Sequence, residues 1–476
     1  MKLNILWLVV IGICLFARPV FSGDIVKSTL DDQASVEVTV YNSNLGLVKD
    51  TRKINLPTGN GELRFMDVAA YIMPVTVHAK SLNHPNDFSV LEQNYEYDLI
   101  NENKLLDKYV GKTVKLMNWN QYSDKKETVD AMLLSNNGGQ VYKINNEIYL
   151  GYPGMKILPE IPENLIAQPT LTWLYNNASK DAHSLEVSYL TSGITWNADY
   201  VLVINKTDNA ADISGWVSVD NKSGATYKNA VLKLVAGDVN RVQPTRDVYA
   251  KTNLLMMEST AGAPQFAEKA FFEYHIYDLQ RKTTIKDNQT KQISLLEAND
   301  FKIKKEFITT AASPYFNYSM VGQKPKQTVN VMISFKNSKE NKLGMPLPAG
   351  IMRLYKQDDE GKLQFIGEDR IDHTPKDEDI RLKIGDAFDV VAERVQTDFR
   401  QISSTVFESE WEVALRNHKN EDINVGVVEP LAGCANWEVI TSSHTYTKMD
   451  AFTIRFDVNV PKDKEVRVKY RLRVGY

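Results

Sequence analysis

The amino-acid sequence predicts an all-β, multidomain protein of antiparallel β-sandwiches, with one small β-barrel-like unit and few short helices. Segments in which apolar and polar residues alternate recur along the chain, and turn-forming residues separate them. Apolar residues make up 43% of the 476 positions, enough to bury more than one core. The length alone predicts roughly two to four domains. Helical periodicity is confined to a few short segments, which disfavours alternating βαβ units.

The first 22 residues are typical of a cleaved export signal. Lys2 gives a weakly positive start, Ile5 to Phe16 is an apolar run, and cleavage is expected after Ser22. That run is shorter than the roughly 20 residues that a membrane-spanning helix needs, and no later segment is longer. We therefore predict a signal peptide at 1–22, no transmembrane segment, and an exported protein located in the periplasm, at the cell surface or secreted.

Charge and cysteine content exclude some partners. The chain has 56 Lys and Arg against 60 Asp and Glu, and no basic stretch suited to phosphate backbones, so we expect no nucleic-acid partner. Lipid attachment at Cys14 is disfavoured because Ile13 stands where a small residue should precede the modified cysteine. Once residues 1–22 are removed, Cys434 is the single cysteine and cannot form an intramolecular disulfide. A small buried side chain is favoured for it over a reactive thiol.

Residues 23–108 are predicted to form an N-terminal β domain. Apolar residues alternate with polar ones over Val36–Val40, and a turn cluster at Pro57–Gly61 separates two further strand patterns. One short helix is expected at Met66–Ile72 and another between Asn101 and Tyr109, where two leucines lie among charges.

Residues 109–168 are predicted to form a small β-barrel-like domain followed by a connector. Five short strand patterns lie between Gly111 and Ile157, separated by turns such as Asn136–Gly139. The connector is marked by prolines, each of which removes a backbone donor and fixes φ. They are Pro153, Pro159, Pro162 and Pro169.

Residues 169–476 are predicted to form one domain of two β-sandwich halves, since strand patterns recur there with short turns between them. The pattern lapses at 243–268, which we interpret as a mobile insertion that a protease should cut first. Ala387–Arg400 fits either an amphipathic helix or a strand, and the strands around it favour a strand.

No local motif for catalysis or cofactor binding occurs: the sequence lacks a GxSxG elbow, a P-loop and a GxGxxG loop. No two of the seven histidines lie within five residues, so no local zinc pair exists. They are His78, His84, His183, His275, His373, His418 and His444. We therefore predict no catalytic, cofactor-binding or metal-binding residue and no cofactor.

Two acidic loops were the strongest metal candidates. Asp358–Glu360 lies on a predicted turn, and Asp377 and Asp379 follow His373. Neither loop has the alternating ligands, the glycine and the terminal glutamate of a calcium loop, so solvated turns are favoured. Calcium stays the alternative, because the two loops could gather oxygens if they met.

Aromatic residues are numerous, with 17 Phe, 7 Trp and 22 Tyr. An exposed Trp or Tyr on a sandwich face could stack on a sugar ring or anchor a partner. Trp196, Trp216 and Trp411 lie within apolar runs, and we interpret them as core residues.

Five segments carry a recognisable pattern. They are SYLTSGITWNADY at 188–200, GWVSVDNKSGATYKNAVLKLVAGDVNRV at 215–242, MPLPAGIMRLY at 345–355, GEDRIDHTPKDEDIRLKIGDAFDV at 367–390 and LRNHKNEDINVGVVEPL at 415–431. In this order they resemble the bacterial domain of unknown function 4139. The N-terminal VYNSNLGLVKDTRKINLP and LEQNYEYDLINENKLLDKYVGK are similar to what precedes that domain in one exported subgroup. The resemblance implies an all-β architecture and a bacterial envelope location, and it brings no catalytic residue because the family has no established activity.

The first of these segments has a structural interpretation. Gly193 allows a turn with positive φ, Trp196 fills the core beside it, and Tyr200 is expected to start the next strand. In the second segment, Asp238 and Arg241 are expected to form a structural pair at a strand end.

Two functions of different classes remain. The first is a non-enzymatic envelope or secreted protein that binds a partner protein, a glycan or the cell surface. The second is a hydrolase or metal-dependent enzyme whose residues converge only in the tertiary structure. The absence of local motifs and the abundance of β-sheet surface favour the first.

Overall fold

A computed structural model describes residues 25–96, 100–120, 125–162, 168–237, 265–271, 274–311, 316–431 and 433–476. Strand accounts for 64% of the described residues and helix for 4%, which confirms the predicted all-β class. The signal segment, Asp238, Arg241 and most of the insertion expected at 243–268 lie outside the described residues. The described end of that insertion, from Phe266 onward, is a strand.

The strands are numbered along the chain. Up to residue 157 they are β1 (Ile25–Ser28), β2 (Gln33–Tyr41), β3 (Leu45–Ile54), β4 (Gly59–Met66), β5 (His78–Ser81), β6 (Phe88–Glu96), β7 (Thr113–Asn120), β8 (Lys125–Ser135), β9 (Val141–Ile144), β10 (Glu147–Leu150) and β11 (Met155–Ile157). From residue 170 to 310 they are β12 (Thr170–Asn177), β13 (His183–Thr191), β14 (Ile194–Ile204), β15 (Ala210–Asn221), β16 (Tyr227–Ala236), β17 (Phe266–Phe271), β18 (Tyr274–Leu279), β19 (Thr283–Ile285), β20 (Gln289–Lys302) and β21 (Lys304–Thr310).

The remaining strands lie in the last third of the chain. They are β22 (Lys326–Gln327), β23 (Asn330–Lys336), β24 (Gly350–Gln357), β25 (Leu363–Ile371), β26 (Asp379–Asp386), β27 (Val390–Gln401), β28 (Val406–Asn417), β29 (Ile423–Pro430), β30 (Asn436–Ser442), β31 (Thr447–Asp450), β32 (Thr453–Val460) and β33 (Glu465–Gly475). β27 confirms the strand interpretation of the ambiguous segment Ala387–Arg400.

The described strands form six sheets, which we number 1 to 6. Sheet 1 has the order β1-β4-β12-β6, and sheet 2 has β17-β18-β16-β2-β3-β13-β5 with β19 beside β16. Sheet 3 is β10-β9-β8-β7-β11, and sheet 4 is β20-β15-β14-β24-β25. Sheet 5 is β26-β23-β21-β29-β32-β31, and sheet 6 is β22-β27-β28-β33-β30. Most ladders are antiparallel; the parallel ones in the described part are β1–β4, β2–β16, β14–β24 and β21–β29.

The first core is formed by sheets 1, 2 and 4. Two strands of sheet 5 also contribute to it, β23 through Ile333 and Phe335 and β26 through Ile380 and Leu382. Residues 23–108 and 169–476 were expected to form separate domains, but strands of both ranges share these sheets: β3 pairs with β13, and β4 pairs with β12. The reason is visible in β13. Its alternate residues are buried from His183 to Thr191, which is the pattern of a strand within a sheet that has one buried face. Such a strand needs hydrogen-bonded neighbours on both sides. N-terminal strands supply them, and the two ranges fill one core.

The second core lies between sheets 5 and 6, with Val413, Leu415, Phe456 and Tyr470 among its fully buried residues. Cys434 belongs to this core and is 2% exposed, and burial raises the pKa of its thiol. Its surroundings therefore match the small buried side chain that the sequence favoured.

The third core is small and lies under the helix α1 (Glu102–Tyr109), which covers one face of sheet 3 through Leu106 and Tyr109. The helix was expected, and it begins where Asn101 Oδ1 accepts a hydrogen bond from the Lys104 backbone N–H at 3.0 Å. No helix in the described ranges is long and apolar enough to cross a membrane.

The helix expected at Met66–Ile72 does not form. Asp67 takes a left-handed φ of 64°, which breaks a helix at its start. Two backbone N–H groups of the segment bond to residues distant in sequence instead: Ala69 donates to the Tyr189 hydroxyl on β13, and Tyr71 donates to the Ser223 carbonyl after β15. A single turn of 3₁₀-helix, Pro74–Thr76, follows.

Candidate functional site

Sheet 4 has one face in the first core and the other directed away from it. Along β14, Ala198, Tyr200 and Leu202 are buried in that core, so Asn197 and Asp199 point to the opposite side. We call this opposite side the outer face of sheet 4.

The turn before β14 is built as expected. Gly193 has a φ of +80°, and a Cβ there would approach the Lys222 carbonyl to 2.7 Å. Trp196 is buried, and its indole N–H donates to the Val235 carbonyl at 3.2 Å. Tyr200, however, lies in the middle of β14 and does not start a strand, because β14 continues unbroken from Ile194 to Ile204.

Asp199 is the centre of a hydrogen-bond network on the outer face, although it is only 7% exposed. Its carboxylate accepts from Arg353 Nη1 at 3.0 Å, from Asn197 Nδ2 at 2.7 Å and from Ser218 Oγ at 3.4 Å. A carboxylate with three donors has its position and orientation fixed before any ligand arrives.

The network continues to both edges of the sheet. Gln292 Nε2 donates to Ser218 Oγ at 3.2 Å, and Arg353 Nε lies 3.3 Å from Glu368 Oε2. One residue from every strand therefore takes part, in the order Gln292 (β20), Ser218 (β15), Asp199 (β14), Arg353 (β24) and Glu368 (β25). The outer face carries a continuous polar line across its full width.

Aromatic side chains flank this polar line. Trp216 lies beside Asp199 in the β14–β15 register, and Tyr355 pairs with Phe365 two residues further along, with ring centroids 5.6 Å apart. Phe365 is 55% exposed.

The core interpretation of the tryptophans is right for Trp196 and Trp411 and wrong for Trp216. Val217 and Val219 take the buried face of β15, so alternation places the half-buried Trp216 on the outer one.

The acidic turn at Asp358 has a structural explanation. Its carboxylate accepts from Gln364 Nε2 at 2.9 Å and from the backbone N–H groups of Lys362 at 2.9 Å and Glu360 at 3.0 Å. These bonds, the one from Gln364 first, lower the pKa of the carboxyl. Asp358 thus holds its own hairpin turn. Over the described ranges, no three His, Cys, Asp or Glu side chains gather as a metal site would require.

Two of the scattered histidines meet in space. The rings of His84 and His183 are 5.5 Å apart. His183 is fully buried, and its two ring nitrogens contact Ser81 Oγ at 2.9 Å and Asn177 Oδ1 at 3.0 Å. Burial, followed by the neighbouring His84, lowers the pKa of His183. With both nitrogens occupied, the imidazole is a structural group of the first core.

A charged cleft of about 360 Å³ lies where β20 passes into β21. Four cations and two carboxylates line it: Lys302, Lys304, Lys336, Arg381, Glu306 and Asp379. Glu306 already pairs with Lys304 at 2.9 Å and with Arg455 at 3.0 Å, so part of this charge is internally neutralised.

No family model matches the chain, and no curated protein matches it. The resemblance stated from the sequence therefore stays a prediction. Four of the segments that carry it supply adjacent strands of sheet 4, namely β14, β15, β24 and β25. The outer face could not be found from the sequence, because Asp199 and Arg353 are 154 residues apart. The signal that was present is the alternation of polar and apolar residues in TWNADY.

Proposed function

We propose that the protein is an exported, non-enzymatic binding protein of the bacterial envelope and that the outer face of sheet 4 binds a glycan. The observation that carries this is the polar line across all five strands with Trp216, Tyr355 and Phe365 beside it.

The chemistry of a sugar chain fits such a face. A pyranose ring offers apolar C–H faces, which pack on aromatic rings, and hydroxyl groups, which both donate and accept hydrogen bonds. Glu368, whose side chain is 53% exposed, provides acceptors, and Arg353 beside it, held by Asp199, provides a fork of donors. Because the network is already bonded in the free protein, little side-chain entropy is lost on binding.

The shape of the site favours binding over catalysis. The polar line runs over an open sheet face, whereas enzyme sites are usually concave and exclude water. Arg353 lies between Asp199 and Glu368 and pairs with both, so each carboxylate already has a cationic partner. A glycosidase instead needs one carboxyl group that donates a proton to the leaving oxygen.

Cosedimentation with purified peptidoglycan sacculi and calorimetry with N-acetylglucosamine oligomers test the proposal. We expect wild-type protein to bind and Trp216→Ala to weaken binding about tenfold, as loss of an aromatic stacking contact predicts. Trp437→Ala is the matched control, because Trp437 is also half-buried but lies on sheet 6. Its binding should equal that of wild type.

Absence of binding to both probes, or equal loss in the two tryptophan variants, contradicts the proposal. Release of new reducing ends from the oligomers by wild-type protein, abolished in Glu368→Gln, would instead establish the enzymatic alternative.

A further inference from the structure

Sheet 3 has apolar side chains on both of its faces. The inner face lies under α1 and includes Val114, Leu116 and Leu133. On the other face, which we call the outer face of sheet 3, Leu150 is 86% exposed, and Ile148 and Met155 are each 57% exposed.

The strand register shows that these residues share one surface. In antiparallel ladders directly paired residues point to the same side. Ile148 pairs with Lys143, which pairs with Met132. At the opposite edge, Met155 pairs with Met117. On the strand between them, Val141 of β9 pairs with Leu150. The apolar residues therefore extend over all five strands.

Such a surface is unusual in water. An antiparallel sheet with one solvated face normally has polar residues on it, and strands that are apolar on both faces are normally covered on both. A contiguous exposed apolar patch usually marks an interaction site. Five strands at about 4.8 Å spacing give a surface roughly 20 Å wide.

The charges on the same face indicate what covers it. Among the described residues of this face, Lys115, Lys126 and Lys143 stand against one acid, Asp130. The strand register places each of them on the same side as Met132 or Trp119. Two copies of the chain joined through this face would bring these lysines towards one another, and like charges placed opposite each other are unfavourable. A surface that carries negative charge above an apolar layer would contact the lysines and the apolar side chains together.

The edge of the face has the composition of a membrane interface. Trp119 is 43% exposed, and Lys126 Nζ lies 5.6 Å from its ring centroid. Tryptophan is enriched at the headgroup level of bilayers, and a lysine stem can lie along apolar surface while its ammonium reaches the headgroups.

We propose that the outer face of sheet 3 docks on the surface of an anionic lipid bilayer. The exposed apolar side chains enter the boundary between headgroups and acyl chains, and the lysines contact the anionic headgroups. This site is separate from the outer face of sheet 4 and does not depend on glycan binding.

Vesicle cosedimentation with the full chain lacking residues 1–22 tests the docking. We expect binding to vesicles of phosphatidylglycerol and phosphatidylcholine, at least about tenfold weaker binding to phosphatidylcholine alone, and weakening by salt. Leu150→Asp should lower the affinity for the anionic vesicles at least about tenfold. Lys115→Gln combined with Lys143→Gln should remove most of the preference for anionic lipid.

Phe388→Asp is the matched control, since Phe388 is 95% exposed but lies in the β26–β27 loop; it should bind vesicles like wild type. Equal melting temperatures of the variants establish that they fold. Lack of vesicle binding by wild type, or equal binding by Leu150→Asp, overturns the proposal. A wild-type dimer in sedimentation analysis that Leu150→Asp makes monomeric would identify a second copy as the occupant and overturn it too.

Discussion

Each of the two large cores of this protein buries an arginine over an aromatic ring. In the first core, the guanidinium carbon of Arg52 lies 3.6 Å from the ring centroid of Phe65. In the second, that of Arg394 lies 3.4 Å from the ring centroid of Trp411. Both side chains are almost completely buried, so each core must neutralise a charge and supply acceptors for its donors.

In the first core, several groups provide the counter-charge and the acceptors. Asp50, on the same strand as Arg52, accepts from Nε at 3.1 Å and from Nη2 at 2.8 Å. Two backbone carbonyls of sheet 1 accept as well, Ser28 at 3.0 Å and Met66 at 2.8 Å. Arg52 therefore joins sheets 1 and 2 through main-chain oxygens, while its counter-charge comes from its own strand.

In the second core, one carboxylate provides both the counter-charge and most of the acceptors. Glu429 of sheet 5 accepts from Arg394 of sheet 6 through both oxygens, at 2.8 and 3.1 Å, and Tyr470 donates its hydroxyl to the same carboxylate. Burial raises the pKa of Glu429, although Arg394 and Tyr470 act to lower it. Here the ion pair itself links the two sheets.

The acceptors that the buried arginine keeps, more than the ion pair itself, therefore determine how much stability is lost when the carboxylate is removed. Without Asp50, Arg52 keeps two carbonyl acceptors. Without Glu429, Arg394 keeps the Tyr470 hydroxyl, 3.3 Å from its Nε, and the Trp411 ring. Matched carboxylate-to-amide substitutions separate the two cases.

We expect Glu429→Gln to have the largest effect, a loss of about 3–5 kcal/mol in the free energy of unfolding, because it leaves a buried arginine without a counter-charge. Urea unfolding, analysed for the transition of the second core, measures it. The double variant Arg394→Met with Glu429→Leu should regain most of the loss, since an apolar pair replaces the charges. A double variant as unstable as the single one would contradict this account.

We expect Asp50→Asn to cost less, about 1.5–3 kcal/mol, the usual contribution of hydrogen bonds to a charged group. The Ser28 and Met66 carbonyls still accept from Arg52 in this variant. The same unfolding experiment applies to the first core. If Asp50→Asn proved as destabilising as Glu429→Gln, the two carbonyls would not have the compensating role assigned to them.

The parts of the fold that the sequence predicted depend on nearby residues. The helix after Asn101 was found because its cap and its leucines lie within a few residues, and the Asp358 turn because its hydrogen bonds span at most six. The helix expected at Met66–Ile72 was wrong because bonds to Tyr189 and Ser223, distant in sequence, determine that segment.

Long-range pairing explains what the sequence did not predict. The parallel β2–β16 ladder joins residues nearly two hundred positions apart, as the 196-residue separation of Glu37 and Lys233 shows. Alternation shows that a strand has a polar side but does not show which strands lie beside it. The outer face of sheet 4, and the burial of Arg52 and Arg394, follow from such pairings.

Acid separates the two cores further, because the first core holds a fully buried imidazole, His183, that resists protonation. The lowered pKa of His183 means that its contribution is fully present above the ordinary value of 6.5 and is lost as pH falls through the folded pKa. We therefore expect the first core to lose stability before the second.

Unfolding followed between about pH 8 and about pH 5, the range over which histidine titrates, tests this order. His183→Gln should flatten the pH dependence of the first transition and leave the second unchanged. A first transition that keeps its pH dependence in this variant would assign the effect to another group.

The smallest effect is expected for an ion pair of the first core that water reaches. Glu37 on β2 contacts Lys233 on β16 at 2.8 Å and Lys49 on β3 at 3.4 Å, and about a quarter of its side chain is exposed. Burial raises the pKa of Glu37, but the two lysines outweigh it and the net shift is downward. Its contribution to stability is therefore present above the ordinary value of 4.5 and is lost as pH falls through the lowered pKa.

Because solvent and salt screen this pair, Glu37→Gln should lower the free energy of unfolding by only about 0–1 kcal/mol, and by less in high salt. The unfolding experiment used for Asp50→Asn measures it. A cost as large as that of Asp50→Asn would mean that the charge linking three strands matters more than its burial, and the distinction drawn between buried and accessible pairs in this core would not hold.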